Sequence, residues 1–69
     1  MPSFVYMNKK LYLTNLQCIQ LELLLNIGDE YRKYIKLGDK LYDAGTYKKE
    51  YHTITLDEYN WIQSNIGFL

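Results

Sequence analysis

An α+β fold is predicted for this 69-residue chain from three observations: two helical segments each opened by a capping threonine, β-prone runs ahead of each, and no Pro-rich or Ser-rich linker. The only proline is Pro2, so residues 1 to 69 read as a single domain. "KKLYLTNLQCIQLELLLNIG" and "KKEYHTITLDEYNWIQSNIG" share one order of parts: two lysines, a β-prone run, a threonine, a helical segment, then Asn-Ile-Gly. They read as two variations on one unit, at about 4–28 and 40–67. The expected order is β-hairpin, helix, small antiparallel meander, helix, with the helices packed on one face of the sheet.

Taken in order, "FVYMNKKLYL" alternates as a hairpin and turns at Asn8-Lys9, since asparagine tolerates positive φ; Phe4, Tyr6, Leu11 and Leu13 then share a face. Thr14 with Gln17, and Thr55 with Glu58, have the spacing of a capping box, in which the threonine side chain and the residue three further on satisfy each other's free backbone N–H groups. Gly28 and Gly67 stand where a left-handed stop would end each helix. Between the helices, "YRKYIKL", "KLYDA" and "YKKEYHTI" are separated by Gly38-Asp39 and Ala44-Gly45, two turn-like pairs that suggest three strands. The first of these runs also fits a short helix capped by Asp29 and ending at Gly38, because Tyr31, Tyr34 and Ile35 have helical spacing; strand is the reading preferred.

The first helix carries apolar side chains on two sides. Leu16, Ile19, Leu23, Leu24 and Ile27 cover a broad face, and Cys18, Leu21 and Leu25 form a second stripe roughly opposite. A two-layer domain of this size buries one helix face, so the second stripe implies a partner, most economically another copy in a homodimer. On the last helix Leu56, Tyr59, Ile62 and Ile66 share a side, while Trp61 lies off it as either a sheet cover or an exposed interface anchor.

Eight Lys and Arg balance eight Asp and Glu, so no global charge draws the chain to nucleic acid or an anionic membrane. The single cysteine, Cys18, suits a reducing compartment, and no apolar run nears the roughly 20 residues of a membrane span. A cytoplasmic protein is expected. One cysteine and one histidine, His52, cannot build the usual zinc spacing, and neither a carboxylate pair nor a phosphate-cradling glycine run is visible. No catalytic residue, metal or cofactor is assigned, and a non-enzymatic role is expected.

Arg32, Lys33, Lys36, Tyr47, Lys48 and Lys49 lie among tyrosines in the central segment, the residue types that hold and stack single strands. Asp29, Glu30, Asp39, Asp43 and Glu50 share that segment and weaken the pull on phosphates, so nucleic-acid binding ranks behind protein binding.

Gln20, Leu21, Leu23 and Leu25 match the Q-L-x-L-x-L form of the peptide by which bacterial replication and repair proteins dock on the sliding clamp. That resemblance implies a glutamine at a pocket rim and leucines in apolar pockets. In character, a tiny, tyrosine-rich, neutral chain resembles the early proteins by which phages disable host replication, repair or defence enzymes. "EYHTITLDEY" is also similar to the end of small phage inhibitors of uracil-DNA glycosylase, with Asn60 and Gln63 standing where those inhibitors carry acidic and aromatic residues. These resemblances imply a protein inhibitor in a host cytoplasm, with the sliding clamp as the most specific target. Its partner-binding residues would be Trp61, Tyr59, Gln20, Leu21, Leu23 and Leu25. A single-strand binder and a self-assembling structural module are the alternatives.

Overall fold

Strands β1 (Ser3–Tyr6) and β2 (Lys9–Tyr12) form the expected hairpin, closed by the loop Met7-Asn8 rather than Asn8-Lys9. The computed structural model describes residues 1–68. Phe4 pairs with Leu11 and Tyr6 with Lys9. Moving the turn by one residue shifts every cross-strand pair by two, and side chains alternate with period two, so the facing is preserved. Phe4, Tyr6, Leu11 and Leu13 accordingly all meet the core.

Helix α1 (Asn15–Ile27) starts at the predicted box: the Thr14 hydroxyl accepts from the Gln17 N–H at 3.0 Å, and the Gln17 Oε1 accepts from the Thr14 N–H at 2.9 Å. Its end differs from expectation. Gly28 is extended (φ −90°, ψ 162°), and neither Gly28 nor Gly67 takes a left-handed conformation. The Gly28 N–H instead donates to the Leu25 carbonyl at 3.2 Å, supplying one end bond without a left-handed residue.

The antiparallel meander does not form. Tyr31–Tyr34 is a 3-10 turn that runs directly into helix α2 (Ile35–Thr46). Tyr34, Leu37, Gly38, Leu41, Ala44 and Gly45 recur at helical steps and are all buried, which makes helix the better burial solution. The pairs read as turns are instead points of close helix approach. A Cβ on Gly38 would stand 3.5 Å from Leu25 Cδ2, and one on Gly45 only 2.7 Å from Ile19 Cγ1. With Asn15 Nδ2 donating to the Ala44 carbonyl at 2.9 Å, these contacts run α2 antiparallel to α1.

Of the expected central strands, β3 (Tyr51–Thr53) alone remains. It pairs parallel with β1, Phe4 opposite His52, and gives a mixed sheet of order β2-β1-β3. The parallel pairing is possible because two helices fill the crossover from the hairpin to β3. Helix α3 (Leu56–Asn65) begins at the second box, with the Thr55 N–H donating to the Glu58 carboxylate at 2.8 Å and the Thr55 hydroxyl accepting from the Glu58 N–H at 3.2 Å. Trp61 and Ile62 drop from α3 into one core shared by the sheet face and all three helices. The α+β class and the helix-covered sheet therefore hold, with the helical content larger than predicted.

Candidate functional site

The expected facing of α1 is reversed. Leu21 and Leu25 are 0% and 1% exposed and pack in the core with Cys18, whereas Leu16, Leu23 and Ile27 are 62%, 57% and 81% exposed. Leu21 and Leu25 thus cannot form a dimer seam or a partner surface; the solvent-facing stripe is the other one. The Q-L-x-L-x-L stretch is helical, with exposed Gln20 and Leu23 on one side and Leu21 and Leu25 on the other. An extended docking peptide would require unfolding the core.

Trp61 is also a core residue rather than an exposed anchor, at 9% exposure and with its ring centroid 6.0 Å from that of Tyr34. Tyr59 is half-buried, 6.4 Å from the Tyr6 ring, with Lys9 Nζ 5.6 Å above it. Leu56, placed on the inner face by periodicity, is exposed, and Glu58 takes an inner position instead. Its carboxylate, besides capping α3, lies 3.7 Å from Lys40 Nζ, which also donates to the Thr53 carbonyl at 2.6 Å.

The proposed nucleic-acid contacts are not gathered on a sheet. Arg32 and Lys33 lie in the 3-10 turn and Lys36 in the first turn of α2, while Tyr47, Lys48 and Lys49 follow its last turn. A 12-residue helix separates the groups by roughly 18 Å at 1.5 Å per residue.

A site that periodicity did not reveal lies at the start of α2. A cleft of about 470 Å³ opens between the 3-10 turn with α2's first residues, which contribute Arg32, Lys33, Tyr34, Ile35 and Lys36, and the start of α3, which contributes Thr55, Asp57 and Glu58. Tyr34 is buried and backed by Trp61, giving an aromatic floor, while Ile35 is an exposed apolar lip. Cations line one wall and carboxylates the other. Among the described residues Arg32, Lys33, Lys36 and Asp57 form no ion pairs. Lys33 does lie over the Tyr34 ring, Nζ 5.4 Å from its centroid. The sequence signal for this wall was the Arg32-Lys33 pair beside Tyr34 and Ile35, but its opposite wall is over twenty residues away in sequence and joins it only on folding.

Cys18 and His52, the single cysteine and the single histidine, have packing roles. Burial pushes the Cys18 thiol up to about 11, the reverse of what a thiolate nucleophile requires. His52 stacks on Phe4 at 5.0 Å between centroids and 13° between planes, and its Nε2 lies 3.0 Å from the Lys49 carbonyl, so that nitrogen carries the proton in the neutral ring. Burial holds its pKa below the ordinary value near 6.5. Among the described residues, no three His, Cys, Asp or Glu side chains come together as metal ligands. No described helix is long and apolar enough to cross a membrane.

The fold and surfaces define a small α+β protein with a mixed three-stranded sheet, an aromatic-floored charged cleft and an apolar helix face. No protein-family model, curated protein or solved structure matches the chain.

Proposed function

We propose that this protein is a non-enzymatic, phage-type inhibitor that binds a host DNA-replication, repair or defence protein through the cleft between α2 and α3. The observation that carries the reading is the cleft's anatomy. An apolar floor and lip supply desolvated contact, and Arg32, Lys33, Lys36 and Asp57 around them, which form no ion pair among the described residues, supply orientation and choice of partner. Its volume of about 470 Å³ is enough to admit side chains from a partner surface. The target class comes from the resemblance to early phage proteins. The sliding clamp is no longer singled out, because Leu21 and Leu25, half of the stretch that suggested it, belong to the core.

The test is an affinity pull-down from bacterial lysate with tagged wild-type protein and an Ile35→Asp variant, identifying retained proteins by mass spectrometry. Ile35 is half-exposed, so the variant keeps the core. A replication, repair or defence protein held by wild type and lost from Ile35→Asp supports the proposal. A protein retained equally by both, or none retained, contradicts it.

Single-strand binding is the second reading, favoured now by different residues. Tyr12 and Tyr51 stand exposed on either side of Ser3 on the sheet face turned from the core, with Lys10 beside them. Retarded oligonucleotide migration that collapses with salt and with Tyr12→Ala supports this reading.

A further inference from the structure

The solvent-facing stripe of α1 has a pattern that the cleft does not explain. Leu16, Gln20, Leu23 and Ile27 follow one another at steps of four, three and four, the spacing of a coiled-coil seam, while Cys18, Leu21 and Leu25 point the other way into the core. We propose that this stripe is the seam of an antiparallel two-fold homodimer.

A two-fold axis crossing the helix midway between Leu21 and Glu22 sets Leu16 against Ile27 of the partner subunit and Gln20 against Leu23 of the partner subunit. Every position of the seam is thereby matched within one self-complementary patch, as an isologous contact requires. Gln20, which is exposed, is the one polar position of the seam.

Charge points to a second copy as well. Glu22 is the only charged residue of α1; it accepts a hydrogen bond from Asn26 Nδ2 at 2.6 Å and lies off the seam. The flanking positions Gln17, Ile19, Leu24 and Asn26 are neutral, and the whole chain has no net charge. Two copies therefore meet without repulsion, and the stripe offers no charge with which to select a foreign surface.

A stable interface covers about 800 Å² per partner, more than four seam side chains supply. Tyr42 and Tyr47 extend the surface on one flank. They are packed edge to face at 5.8 Å, both exposed, at the end of the helix whose Gly45 abuts Ile19. The cleft residues are not part of this seam, so a dimer would carry two independent clefts.

Sedimentation equilibrium from about 1 μM to 1 mM tests the seam. Wild type is expected to pass from 8.3 kDa to twice that mass and no further. Leu23→Glu is expected to stay monomeric with an unchanged far-UV spectrum; Ile27→Glu, at the most exposed seam position, gives the same readout should the first disturb the fold. The Leu16→Lys, Ile27→Glu double variant is expected to regain the dimer, because the antiparallel register brings opposite charges together and a parallel one brings like charges together. A wild type that remains 8.3 kDa at 1 mM overturns the proposal. So does a dimer indifferent to both single variants, growth beyond a dimer, or a double variant that stays monomeric.

Discussion

Replacing Gly45 and Gly38 by alanine should move stability in opposite directions, although both glycines lie in the same helix and face the same neighbour. Alanine is favoured over glycine inside a helix by about 0.8–1.0 kcal/mol. At Gly38 the new methyl would meet Leu25 Cδ2 at 3.5 Å, an ordinary van der Waals distance, so the gain is expected in full. At Gly45 it would stand 2.7 Å from Ile19 Cγ1, 3.2 Å from the Ile19 nitrogen and 3.4 Å from the Asn15 carbonyl oxygen. Ile19 is β-branched and has few rotamers with which to withdraw. The other two atoms are backbone, so α1 itself must shift and strain the 2.9 Å bond from Asn15 to Ala44. Overpacking of this kind costs about 1–3 kcal/mol, and because the helix gain is common to both sites the two variants should differ by roughly that amount, about 1–3 kcal/mol. For a domain of this size 1 kcal/mol corresponds to about 4–8 °C in Tm. Gly38→Ala should melt about 4–8 °C higher than wild type and Gly45→Ala below wild type, by far-UV circular dichroism at low protein concentration. Shifts of the same sign, or a stabilised Gly45→Ala, would refute the close helix approach.

Two further outcomes follow from single residues. Met7 takes φ 54° at 80% exposure, so Met7→Gly loses no packing and relieves a left-handed conformation; urea unfolding should show a gain of about 0.5–1 kcal/mol, the left-handed penalty less glycine's extra entropy. The pKa of His52 is depressed in the folded state, so the unfolded chain binds the proton first and stability is complete above about 6.5 but declines as pH falls through that value. Urea midpoints at pH 7.5 and 5.5 should drop for wild type and drop less for His52→Phe; equal drops would exclude His52 as the cause.

How far the fold was legible depended on whether its determinants are local. The hairpin facing and both capping boxes are set within a few residues, and each is present with the expected partners. Helix α2 was misread because Gly38, Ala44 and Gly45 resemble turn residues, and their packing role exists only once α1 lies against them. The pairing of β3 beside β1 joins residues 48 positions apart, such as Ser3 and Tyr51, which no local pattern encodes. On α1 both faces are apolar, so periodicity shows two stripes without saying which is inside. The same ambiguity misassigned Leu21 and Leu25 as partner contacts and concealed the surface formed by Leu16, Leu23 and Ile27. Trp61 was left between two roles by its position off the stripe, and its contact with Tyr34 is what makes it the backing of the cleft.

The cleft proposed for a foreign protein and the stripe proposed for self-association are separate surfaces. Titration calorimetry of the captured partner against wild type, Ile35→Asp and Leu23→Glu, paired with the mass of each variant, tests that separation most directly. Ile35→Asp should weaken the partner affinity per site by tenfold or more, about 1.4 kcal/mol, while remaining dimeric. Leu23→Glu should be monomeric with that per-site affinity intact. Loss of partner affinity in Leu23→Glu with none in Ile35→Asp would overturn this separation and move the binding surface to the α1 stripe.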